Sequence, residues 1–121
     1  MLSLTSTYAR LDIEKTLAFG EVTESLRSLF QVCRLNDFGA ALIVSLQDAY
    51  DCRSSLRIAL KFAASRGAIP PIKLAIVIAH ADFGVRKDIQ DVATEVGLEC
   101  KIFAKEKDGI SWLLPAASSR I

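Results

Sequence analysis

Apolar and polar positions alternate near the start of the chain and then switch to helical spacing. In "LDIEKTLAF" the apolar residues fall at 11, 13, 17 and 19, the period of a strand with one buried face. The preceding "LSLT" suits a hairpin partner. Gly20 ends this strand, and Thr23 is placed to cap a helix carrying Leu26, Leu29, Phe30 and Cys33 on one face. Asn36 and Asp37 close that helix. "AALIVSL" (40–46) is apolar almost throughout, as suits a strand covered on both faces. The next helix sets Cys52, Leu56, Ala59, Leu60 and Ala63 inward and stops near Gly67. Pro70 and Pro71 lead into a second buried strand, "IKLAIVIA" (72–79). Asp82 caps a third helix with Val85, Ile89, Val92, Ala93 and Val96 inward, and Gly97 ends it. "LECKIF" (98–103) alternates like an edge strand. Asp108 opens a last short helix with Ile110, Trp112, Leu113 and Leu114; its tryptophan packs on the sheet edge, and Pro115 begins a frayed tail.

Strands therefore alternate with helices across short loops. That order predicts an α/β fold: a mixed, mostly parallel sheet of four or five strands, with an antiparallel start and about four helices. At 121 residues the chain reads as a single domain with its core over about residues 11–114.

Fifteen basic against fourteen acidic residues leave a net charge of +1, so no global field steers the chain onto nucleic acid or an anionic membrane. Cys33, Cys52 and Cys100 are widely spaced, and His80 is the one histidine; a zinc set is not expected. The start lacks a signal-peptide pattern, and no apolar run is long enough to span a bilayer. The expectation is a soluble cytoplasmic protein whose cysteines serve as small core hydrophobes.

No G-x-G-x-x-G or P-loop pattern follows any strand, and no cofactor is expected. Cys52 and His80 are the one available Cys/His pair, but Cys52 lies on the apolar face of its helix, which disfavours a nucleophile. Asp48 and Asp51 are accounted for as turn or cap residues. The basic stripe is more informative. Arg53, Arg57 and Lys61 recur at i, i+4 and i+8 on one helix face beside Ser54, in a register where like charges repel. They are candidates for binding an anion or a partner, although a solvated face explains many such runs. Arg86 and Lys87 stand in the first turn of the third helix, where cations oppose the macrodipole. Arg86 joins the anion-binding candidates.

Three segments resemble the SpoIIAA-like branch of the STAS superfamily: "LIVSLQDAYDCRSSL", "KLAIVIAHADFGVRKDIQ" and "KIFAKEKDGISWLL". The resemblance spans about residues 11–114. It implies a bacterial, non-enzymatic regulatory module similar to anti-sigma factor antagonists, with a protein partner such as a kinase or an anti-sigma-like regulator. In those members a serine at the start of the helix after the central strand is phosphorylated, and Ser54 or Ser55 holds the matching position. Here Arg53 precedes the serines where those members carry aspartate, and Leu56 follows where they carry glycine. An alternative is a carrier or sensor of a small lipid-like ligand. Its apolar groove would be built from Phe83, Phe103 and Trp112, with Arg86 or the basic stripe holding a headgroup. The edge strand 98–103 or the helix over 21–34 could support a homodimer.

Overall fold

The computed structural model describes residues 2–15, 18–47 and 49–118. Five strands and four helices follow one another as β1 (Leu2–Leu4), β2 (Ala9–Ile13), α1 (Phe19–Leu35), β3 (Ala40–Ser45), α2 (Ala49–Ser65), β4 (Lys73–Ile78), α3 (Phe83–Glu95), β5 (Glu99–Phe103) and α4 (Glu106–Ser118). They form one sheet in the order β1-β2-β3-β4-β5. β1 pairs antiparallel with β2, in the hairpin that "LSLT" suggested, and every later pairing is parallel. The chain is thus an α/β protein with a mostly parallel, five-stranded mixed sheet.

The strand order advances in one direction, so successive right-handed crossovers lay α1, α2 and α3 side by side on one face. The strands turn Leu11, Ile43, Leu74, Ile76 and Ile102 toward this layer, into the larger core. α4 alone covers the opposite face, where Tyr8, Ala40, Leu42, Ala75, Val77 and Leu113 are buried. That second cover explains why β3 and β4 read as unbroken apolar runs. Because the order never reverses, the described sheet has no switch-point crevice of the kind in which open α/β sheets bind ligands.

Two helix starts differ from expectation. α1 begins at Phe19, with Ala18 in extended conformation at its N-cap, and Thr23 lies inside the helix. Burial of Val22 extends the inward face by one turn and outweighs the better capping chemistry of Thr23. The alternation through residues 17 and 19 therefore does not mark a strand: β2 stops at Ile13, and position 17 lies outside the described residues. α4 starts at Glu106 rather than Asp108 and runs through Pro115 to Ser118. Asp82 caps α3 as expected, its Oδ1 accepting from Val85 N–H at 2.9 Å. Asp48 and residues 119–121 are outside the described residues. Among those described, no helix is long and apolar enough to cross a membrane.

Candidate functional site on the outer face of α2

The basic stripe divides in three dimensions. Arg53 turns toward α3, where its Nη1 lies 3.2 Å from Asp88 Oδ2. Arg57 and Lys61, one and two turns further on, take part in none of the ion pairs among the described residues. The Arg57 Nε is shut off from solvent and has no acceptor. These two side chains, with Ser54 and Ile58, line an open hollow of about 250 Å³ on the outer face of α2.

Two exposed apolar side chains give this face a second character. Ile58 is 52% exposed and Phe62, one turn beyond it, is 39% exposed, with the Arg66 guanidinium 4.9 Å from the Phe62 ring centroid. A cationic row and an apolar row therefore run in parallel along the helix. The apolar row is readable in sequence as Ile58 and Phe62 at i and i+4, off the buried stripe.

The two candidate serines part company. Ser54 is half-buried and opens into the hollow. Ser55 is 1% exposed and its Oγ is enclosed with no hydrogen-bond partner. Ser55 is thus corrected from a modification candidate to a core position, since no enzyme reaches that hydroxyl while α2 is folded. Its spacing, three residues after Cys52 and four before Ala59 on the inward stripe, was the available signal.

Arg86 also has an internal use. Its Nε donates to the Ala81 carbonyl at 3.0 Å, holding the turn between β4 and α3, in which His80 adopts φ +62°. That contact gives the cation an acceptor within the fold. Lys87 is held by Asp91 at 2.8 Å across one helical turn, a contact that also raises its pKa.

The aromatic groove does not assemble. Phe103 and Trp112 meet with centroids 5.8 Å apart on the α4 face, and the Lys73 ammonium sits 4.3 Å from the Trp112 ring centroid. Phe83 starts α3, in the layer on the other side of the sheet, and is 79% exposed. Strand alternation separates them: Phe103 points away from the three-helix layer to which α3 belongs.

Cys52, on the inward face of α2, is fully buried, and burial pushes its thiol up to about 11 despite a hydrogen bond with Ser45 that acts the other way. Cys33 is pushed up to about 11 for the same reason. Both thiols are buried and favour the protonated form, the setting of a structural cysteine. No group of three His, Cys, Asp or Glu residues among those described is placed to hold a metal.

A second hollow, of about 360 Å³, lies beside α1 between Arg27, Phe30, Gln31, Arg34 and Ala68. Its cations are already engaged: Arg27 with Glu24 at 3.4 Å, and Arg34 with the Gly67 carbonyl at 3.2 Å. Of these two hollows, the one on α2 has positive groups, Arg57 and Lys61, that take part in no ion pair among the described residues. Comparison with family models, with curated proteins and with solved structures returned no match to this chain.

Proposed function

We propose that the chain is a non-enzymatic regulatory module, of the kind its STAS-like sequence segments imply, and that it engages a protein partner through the outer face of α2. The observation that carries this reading is the hollow of Ser54, Arg57, Ile58 and Lys61. A helix serving only to cover the sheet gains nothing from two like charges one turn apart, nor from leaving Ile58 and Phe62 in water. A partner segment with carboxylates opposite Arg57 and Lys61 and aliphatic side chains opposite Ile58 and Phe62 answers both features.

Within this reading Ser54 is the place where a partner kinase acts. A phosphate there adds a charge of about −2 beside Arg57, which cancels the positive field of the hollow and repels an acidic partner. The lipid-carrier alternative lacks comparable support, because its three aromatics stand on two faces of the sheet. The reading is tested with a purified partner and three proteins: the parent chain, the double reversal Arg57→Glu/Lys61→Glu, and Lys107→Glu on the far face. Binding is expected to be lost only in the double reversal. Equal affinity in all three rejects the reading.

A further inference from the structure

β5 is the outermost strand of the sheet, and its free edge is where another strand would add. Two amides on that edge, one in the strand and one just before it, are already taken. The Ile102 N–H donates to the side-chain Oε1 of Gln90, on α3, at 3.1 Å. Just before the strand, the Leu98 N–H donates to the Ala93 carbonyl at 2.8 Å, closing α3. Backbone groups alternate in direction along a strand, so the amides of Leu98, Cys100 and Ile102 share the open edge, while Glu99, Lys101 and Phe103 turn theirs to β4.

Consider a second copy of this chain laid antiparallel on β5 about a two-fold axis at Cys100. Glu99 then stands opposite Lys101 of the second copy, and Lys101 opposite its Glu99. Charge thus favours this register rather than opposing it. The ladder would draw on the amides of Leu98, Cys100 and Ile102 from each copy, and the fold withholds the outer two. Leu98 is withheld by the helix terminus, which any variant keeps. Ile102 is withheld by one side chain.

We propose that β5 is a latent self-pairing strand for a second copy of this chain, held closed by the Gln90 side chain on the Ile102 amide. Gln90 is half-buried over the edge, and its carbonyl satisfies a donor that a neighbouring strand would otherwise fill. The pairing is charge-matched, and Leu98 stays withheld in every variant, so the Ile102 amide is the contact that a change at Gln90 can release.

Sedimentation velocity over a concentration series tests this on the parent chain, Gln90→Leu, Gln90→Asn and Gln90→Glu. Leucine removes the acceptor and asparagine is one methylene too short to reach, so both are expected to self-associate at least about tenfold more tightly than the parent. Glutamate keeps an acceptor at the same reach and is expected to behave as the parent does. Adding Lys101→Glu to Gln90→Leu places like charges opposite and is expected to reverse the gain. Hydrogen exchange supplies a readout on the parent alone: the Ile102 amide should be protected in dilute solution. The proposal is overturned if Gln90→Asn, with a native circular dichroism spectrum, associates no more than the parent. Association of Gln90→Glu to the same extent as Gln90→Leu also overturns it, as does rapid exchange of Ile102 in the dilute parent.

Discussion

Arg53 and Asp88 join α2 to α3 through a 3.2 Å ion pair, and this contact removes the first cation from a stripe that looks uniform in sequence. Arg53 is structural; Arg57 and Lys61 are left to face outward. Replacing Arg53 by methionine is expected to cost about 0.5–1 kcal/mol, the range for a partly exposed pair, without weakening partner binding. Urea denaturation measures the first effect and titration with the partner the second.

Lys61→Glu should behave in the opposite way. Placing a carboxylate one turn after Arg57 turns a like-charge pair into an attractive one, stabilising the fold by roughly 0.5 kcal/mol while impairing partner binding. A stability loss of similar size in this variant would mean that the stripe has a structural use.

The enclosed Ser55 hydroxyl makes a sharper prediction. Its Oγ is buried without a partner, and serine is a poorer helix former than alanine. Ser55→Ala is therefore expected to stabilise the protein by about 1 kcal/mol, measured by the shift in urea midpoint. Ser54→Ala should be close to neutral. Of the two adjacent serines, a serine kinase acting on the folded chain is expected to label Ser54 and not Ser55, mapped by mass spectrometry.

Cys33 and Cys52 give stability a dependence on alkaline pH. Burial raises each thiol from 9.0 to about 11, so the folded state keeps protons that the unfolded chain releases. Their contribution is fully present below pH 9 and is lost as pH rises from 9 to about 11, on the order of 2 kcal/mol for each thiol. Cys52→Ala should flatten that slope. Neither thiol should react with a thiol probe at pH 8 until denaturant is added.

Gly109 sets how closely α4 approaches the sheet. A Cβ there would lie 3.3 Å from Val77 Cγ2 and 3.4 Å from Leu42 Cδ1. Gly109→Val overpacks this contact and is expected to destabilise by about 1–3 kcal/mol. A thermal melt matching the parent would show that α4 can shift outward without loss.

Much of the fold was legible in sequence because β3, β4 and the inward faces of α1, α2 and α3 obey simple periodicities. The start of α1 was not, since a good cap at Thr23 competed with the burial of Val22, and burial depends on tertiary packing. The same limit governs the site. Helical spacing placed Arg53, Arg57 and Lys61 on one face, but only the arrival of α3 beside α2 decides which of them is already paired. Arg86 is engaged by a carbonyl five residues away, and Gln90 covers an edge strand twelve residues on; backbone acceptors and donors leave no trace in a charge pattern.

The outer face of α2 is proposed to meet a partner. Site-specific photocross-linking from position 58 in living cells tests it directly, with position 107 on α4 as the control. A discrete adduct is expected from position 58, disappearing when Arg57 and Lys61 are both changed to glutamate, and no such adduct from position 107. An adduct of the same size from both positions, or one from position 58 that survives the double reversal, contradicts it.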